Sequence, residues 1–157
     1  TGKIIASDIY RRKLDLIDKE AVRLGITNIE TRSWDATRVD SSMFQKADRV
    51  LVDAPCSGLG VIRRKPEIKY KEHTADMEFL PKKQLAILSA SSSYVKPGGT
   101  LVYSTCTINP EENEHVIDAF IRKNPSFRKM ERTLLLPNVN GTDGFFICVM
   151  KKDESLI

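Results

Sequence analysis

Short apolar runs alternate along this chain with longer segments of helical periodicity, and few folds accommodate that alternation. Residues 3–9 (KIIASDI) read as a strand, and residues 11–24 follow as an amphipathic helix with Leu14, Ile17, Ala21, Val22 and Leu24 at near-helical spacing and Gly25 as its stop. A second strand is expected over 29–34 and a strongly apolar third over 49–53 (RVLVD). Residues 74–95 read as a helix broken near Pro81 and closed by Lys96-Pro97-Gly98-Gly99, followed by a strand over 100–104. Another helix is expected over 111–123, with Val116, Ile117, Phe120 and Ile121 on one face and acidic residues in its first turn, where they suit the helix dipole. A last strand over 144–151 follows the turn Asn140-Gly-Thr-Asp-Gly144. Strands alternating with helices imply an α/β fold with a mostly parallel sheet covered on both faces.

The chain has 157 residues, 41% of them hydrophobic and 29% charged, which suits one globular domain. No apolar stretch approaches the roughly 20 residues that span a bilayer, and the N-terminus lacks signal-peptide architecture, so a cytoplasmic location without membrane contact is expected. The three cysteines, Cys56, Cys106 and Cys148, are too few and too far apart for a disulfide framework, and no C-x-x-C pair suggests zinc. His73 and His115 have no ligand-like spacing to them, so no metal is expected. A net charge of +4 permits a nucleic-acid partner without demanding one.

In parallel α/β sheets, ligands bind at the carboxyl ends of the strands. The residues there are Asp8, Asp35, Asp53 to Cys56, and Thr105 to Thr107. Cys56 and Cys106 each lie just past an apolar strand; if those strands are neighbours, about 4.8 Å apart, the thiols share one cleft with Asp53. A buried cysteine is commonly just a small core residue. Here, though, the turns Asp53-Ala-Pro-Cys-Ser-Gly58 and Ser104-Thr-Cys-Thr107 are polar, which suits a reactive thiol of lowered pKa. Asp8 either caps the helix that follows or accepts both hydroxyls of a ribose. Cys148, inside the last strand, reads as structural, and Phe145 and Phe146 as core. Trp34 packs beside a ligand ring or fills the core, and the sequence leaves both open.

Residues 54–72 (APCSGLGVIRRKPEIKYKE) carry glycines and prolines that argue against a regular element, and Arg63, Arg64, Lys65, Lys69 and Lys71 form the densest basic run. Phosphate contact with a nucleic acid is the functional reading; for the run taken without the cysteine turns, a solvated surface loop is the favoured one.

The segments LVDAPCSGLGVIRRKPEIKY and GGTLVYSTCTINPEENEHVI resemble the two signature motifs of the RNA cytosine-C5 methyltransferases of the Sun/NOL/Nop2 type. The fit is closest to the bacterial small-subunit ribosomal RNA methyltransferase B (RsmB, Sun/Fmu) family and runs from ASDI to GTDGFFICVMKK. The resemblance implies a Rossmann-like S-adenosylmethionine-dependent methyltransferase sheet with an antiparallel last strand. It also implies a covalent mechanism, in which Cys106 attacks C6 of a cytosine in 16S ribosomal RNA, Asp53 pairs with N3, and Cys56 assists release after C5 takes the methyl group. For the cofactor, S-adenosylmethionine, it assigns Asp8 to the ribose, Asp35 to the adenine side and Asp53 to the methionine end. The Arg-Arg-x-Pro stretch of the family maps to Arg63, Arg64 and Pro66.

The sequence before Asp8 is only TGKIIAS. Residues 1–157 are therefore expected to be the C-terminal portion of the catalytic domain, truncated before the first strand, with that strand, its glycine-rich loop and any RNA-binding domain upstream. Such a fragment would expose strand edges through which it self-associates. Other readings are a transfer-RNA methyltransferase, a non-catalytic RNA-binding module on the same fold, and, more weakly, a thiol redox enzyme or hydrolase, the last needing a histidine base that no strand end supplies.

Overall fold

The computed structural model describes residues 2–70 and 74–154. Lys71 and His73, singled out above, lie outside the described residues. The chain divides into two compact units, Thr1–Arg38 and Val39–Ile157.

The first unit is one strand, helix, strand repeat: β1 (Ile4–Asp8), α1 (Arg11–Arg23) and β2 (Ile29–Ser33). The strands are parallel, with Ile4 opposite Ile29 and Asp8 opposite Ser33. Helix α1 buries Leu14 and Ala21, seven residues or two turns apart, whereas Val22 points away and is 82% exposed. The stop at Gly25 is as expected. It takes φ +66°, and the helix closes with Ile26 N–H donating to the Ala21 carbonyl at 2.8 Å and Gly25 N–H to Val22 at 3.1 Å.

The second unit carries β3 (Ala47–Asp53), α2 (Thr74–Ser92), β4 (Val95–Thr105), α3 (Glu114–Lys123), β5 (Phe127–Leu135), the short α4 (Pro137–Asn140) and β6 (Phe145–Lys152). Its sheet has the order β3-β4-β6-β5. Strands β3 and β4 are parallel, and β6 runs antiparallel to both β4 and β5. Strand β5 therefore points the same way as β3 and β4, and the last strand alone is reversed. The core beneath is built from Leu101 and Tyr103 of β4, Val116, Ile117 and Phe120 of α3, and Phe146, Cys148 and Met150 of β6. Phe120 packs edge-on against Phe127 with ring centroids 5.3 Å apart.

Four expectations are corrected. Helix α2 is not broken at Pro81 but runs through it. Proline removes one backbone donor, and the buried Gln84, Ile87 and Leu88 downstream hold the helix in place. Residues 96–99 do not close that helix; they belong to β4, which starts at Val95 with an irregular register between the Ala47–Val95 and Arg49–Thr100 pairs. Gly98, at φ +71°, absorbs the irregularity. The loop after β3 is not devoid of regular elements, since Leu59–Val61 and Pro66–Tyr70 form 3-10 turns. Strand β5 was not expected at all. It is an edge strand whose residues 128–132 are polar or exposed throughout, so no period-two pattern marks it.

Candidate active site

Strands β3 and β4 end level with each other, Asp53 pairing in register with Ser104, and the ladder continues one step as Ala54 N–H donates to the Ser104 carbonyl at 2.9 Å. The loops that leave these ends bring Cys56 and Cys106 together: their Sγ atoms lie 3.2 Å apart. Both thiols are free and half-buried. The Asp53 carboxylate stands beside them, exposed, and accepts a hydrogen bond from Ser104 Oγ at 3.1 Å.

The two sulfurs are not equivalent. The hydrogen bond from Cys56, the backbone N–H of Cys106 itself and the charge of Lys65 together outweigh burial and the nearby Asp53, lowering the Cys106 thiol to about 7. Cys56, as the donor of that bond and the more buried partner, is pushed up and keeps its proton. Of the two, Cys106 is thus the thiol that ionises near neutral pH, and Cys56 the one that stays protonated beside it. Cys148 is buried within β6, and burial raises its thiol to about 11, in keeping with a structural role.

The backbone around Cys106 is tied on both sides. Thr105 Oγ1 donates to Asn113 Oδ1 at 2.6 Å, and Asn113 Nδ2 donates to the Thr107 carbonyl at 3.0 Å. The Cys106 carbonyl accepts from Gly60 N–H at 3.0 Å, and Gly144 N–H donates to the Gly60 carbonyl at 2.8 Å. Three loops meet at Gly60, where a methyl group would stand 2.6 Å from the Gly144 carbonyl carbon and 2.8 Å from the Cys106 oxygen. Glu112, 1% exposed, sits below and accepts hydrogen bonds from Ser57 and from Gln84 of α2. Asn109, Glu112, Asn113 and Gln84 are site-shaping residues that the motif reading did not single out. Polar residues at the start of a helix look like caps, and Asn109 does cap the 3-10 turn Pro110–Glu112.

Arg63 and Arg64 both point to Asp143, each with Nε 2.6 Å from one of its carboxylate oxygens, so this pair of the basic run is anchored to the turn before β6. Lys65 and Lys69 are exposed on the same loop. His115 lies on the exposed side of α3 and pairs with Glu111, which raises its pKa. Among the described residues no group of three or more His, Cys, Asp or Glu side chains is arranged to hold a metal ion. No helix among them is long and apolar enough to cross a membrane.

In the first unit, Asp8 closes β1. It is not the helix N-cap, a position taken by Tyr10, but its Oδ1 accepts the Tyr10 N–H at 2.8 Å and its Oδ2 the Lys13 ammonium at 3.0 Å. Partial burial pushes this carboxyl up, and the hydrogen bonds from Tyr10 and Lys13 with the Lys13 charge prevail, holding it below the usual value. Asp35 lies two residues past β2 and accepts from Thr37 N–H at 3.0 Å and Thr37 Oγ1 at 2.7 Å. Ile9, Ser33, Trp34, Asp35 and Arg38 line an open pocket of about 200 Å³. Trp34 is half-buried there, its indole N–H donating to the Arg38 carbonyl at 2.9 Å.

The profile of the family described as "16S rRNA methyltransferase RsmB/F" matches residues 1–151. The chain is 43% identical to a probable ribosomal RNA small subunit methyltransferase B of Bacillus subtilis, over 96% of this chain and 38% of the relative. It is 37% identical to the ribosomal RNA small subunit methyltransferase B of Klebsiella pneumoniae, over 96% of this chain and 37% of the relative. It thus spans under two-fifths of the length of these curated relatives. Among solved structures, NSun6 from Pyrococcus horikoshii with SFG superposes at a TM-score of 0.85 with 30% identity, over 99% of this chain and 42% of that one. The N-methyltransferase NodS of Bradyrhizobium japonicum, only 13% identical, shares the fold at a TM-score of 0.62, over 97% of this chain and 74% of that one. With the thiol pair at the ends of β3 and β4 and a match over nearly its whole length, the chain belongs to the RsmB/F family of S-adenosylmethionine-dependent 16S ribosomal RNA methyltransferases.

Proposed function

We propose that the protein containing this chain methylates C5 of a cytosine in small-subunit ribosomal RNA through a covalent adduct with Cys106. The observation that carries this reading is the 3.2 Å approach of a lowered-pKa thiol to a second, protonated thiol beside a carboxylate. C5 of cytosine is a poor nucleophile while the 5,6 double bond is intact. Addition of the Cys106 thiolate to C6 breaks that double bond and moves electron density onto C5, while Asp53, donating a proton from its carboxyl group to N3, stabilises the adduct. S-adenosylmethionine, when bound, supplies the methyl group. Loss of the C5 proton to water then re-forms the double bond and expels the Cys106 sulfur as a thiolate, to which the Cys56 thiol donates a hydrogen bond as it leaves.

The cofactor reading rests on the donor set. Each oxygen of Asp8 already accepts one hydrogen bond and retains a lone pair, which suits the two hydroxyls of a ribose. Asp35 beside the exposed Ile9 offers an acceptor and an apolar surface, as a purine requires. Asp53 is assigned to the methionine end. The relative from Pyrococcus horikoshii solved with SFG, an analogue of S-adenosylmethionine, supports the choice of cofactor. Arg63, Arg64, Lys65 and Lys69 are proposed to contact RNA phosphates, and residues 1–157 to form the C-terminal portion of the catalytic domain.

The test uses the full-length protein with Cys56→Ala, incubated with S-adenosylmethionine and small-subunit ribosomal RNA and run on a denaturing gel. A slow protein–RNA band that disappears when Cys106→Ala is added supports the reading. Methylation by the unsubstituted protein without any such band from the variant overturns it.

A further inference from the structure

Glu112 is a carboxylate removed from water, and such a group is costly unless donors surround it. Four do: Ser57 N–H at 2.9 Å and Gln84 Nε2 at 2.9 Å to Oε2, and Ser57 Oγ at 2.6 Å and Asn109 Nδ2 at 3.2 Å to Oε1. The Ser57 hydroxyl has one hydrogen, and Glu112 takes it, so in the 2.9 Å contact with Thr107 Oγ1 it is Thr107 that donates. Thr107 in turn accepts from Asn109 N–H at 3.2 Å. A directed chain thus runs from Asn109 through Thr107 and Ser57 to Glu112.

Ser57 follows Cys56 and Thr107 follows Cys106, so this one carboxylate terminates a chain joining the residues next to both thiols. Gln84 adds a third element: its amide donates both to Glu112 and to the Pro55 carbonyl at 2.9 Å, directly before Cys56. That orientation leaves Gln84 Oε1, fully buried, without a hydrogen-bond partner among the described residues. The amide serves the loop at the expense of its own acceptor. Capping alone does not require this arrangement, because Asn109 caps the turn, and Glu111 and Glu114 place charge at the start of α3.

We infer that Glu112 is a positioning residue which holds the Cys56 loop against the Cys106 loop and so sets the distance between the two thiols. For the reaction, which rests on the proposed function, this keeps Cys56 within reach of the adduct sulfur at the release step.

The test reads the thiol pair without RNA or cofactor, so it does not depend on methylation. The full-length protein is equilibrated in buffers of reduced and oxidised glutathione, each Cys56–Cys106 bridge consuming one glutathione disulfide and releasing two glutathione molecules. The bridge, quantified by mass spectrometry, gives the effective concentration of one thiol for the other. Glu112→Gln is expected to lower it at least about tenfold, because an amide cannot accept from all four donors, and Ser57→Ala to lower it about threefold. Phe120→Val, which weakens the core against Phe127, is expected to leave it unchanged in the folded protein. A folded Glu112→Gln within about twofold of the unsubstituted protein, or an equal fall in Phe120→Val, overturns the inference. If Glu112→Gln does not fold, Ser57→Ala decides by the same criterion. Absence of methyl transfer by the unsubstituted protein would count against the proposed function and leave this measurement intact.

Discussion

The Sγ atoms of Cys56 and Cys106 lie 3.2 Å apart although 50 positions separate them in the chain, and the hydrogen bond between them lowers the pKa of the Cys106 thiol while raising that of Cys56. That asymmetry has a direct consequence for pH. The reactive form of Cys106 is the thiolate, present above about 7 and lost as the pH falls below it. Iodoacetamide alkylation of Cys106 in the full-length protein is expected to rise through a midpoint near 7. Cys56→Ala removes the hydrogen bond that contributes most to the lowering, so the midpoint moves upward, toward that of an ordinary thiol. A midpoint unchanged by that substitution would show that the pair does not set the thiolate.

Gly60→Ala places a methyl group against backbone atoms of two other loops, at 2.6 Å from the Gly144 carbonyl carbon and 2.8 Å from the Cys106 oxygen. Backbone cannot rotate aside as a side chain can, so a destabilisation of about 2–3 kcal/mol is expected, with displacement of Cys106 and loss of methyl transfer. Chemical denaturation measured alongside activity checks it. A variant of full stability and activity would show that the three loops separate easily.

Tyr103, wholly buried, donates from its hydroxyl to the Glu112 carbonyl at 2.7 Å. Tyr103→Phe leaves that carbonyl short of its donor at little change in volume, and a loss of about 1–2 kcal/mol in the denaturation free energy is expected at constant denaturant slope.

In the basic loop, Arg63 and Arg64 share Asp143, which holds both guanidinium groups on one turn. If these groups and Lys65 neutralise RNA phosphates, replacing all three by alanine flattens the slope of log binding constant against log salt by about two, given roughly 0.7 per phosphate on a single strand. Filter binding over a salt series reads it. An unchanged slope assigns the loop to solvent.

Much of the strand and helix order could be read from local pattern. β3 announces itself by RVLVD, and α1 by Leu14, Ile17, Ala21, Val22 and Leu24 with a glycine stop, although Val22 and Leu24 prove exposed. The failures share a cause, the outweighing of a local signal by tertiary context. Pro81 sits inside α2 because the residues after it are buried; Gly98 and Gly99 lie within a bulged strand, not at its boundary; and β5 hides behind Arg128, Lys129, Glu131 and Arg132 because an edge strand has little apolar surface to show. The meeting of Cys56 and Cys106 beside Asp53 was legible because thiols and carboxylates just beyond apolar strands are rare company. Glu112 and Gln84 were not, since a polar residue on a helix reads the same whether it faces water or a buried loop.

From sequence alone, the chain's residue types and their order determined an α/β alternation and placed Asp53, Cys56 and Cys106 at strand ends, since periodicity and turn chemistry are local properties. Tertiary structure alone decided that β3 and β4 are neighbours ending level, that the Cys56 and Cys106 thiols touch, and that Glu112 gathers both loops. Hydrogen bonds and pKa values depend on distances between atoms, and for residues 50 positions apart those distances exist only once the chain has folded.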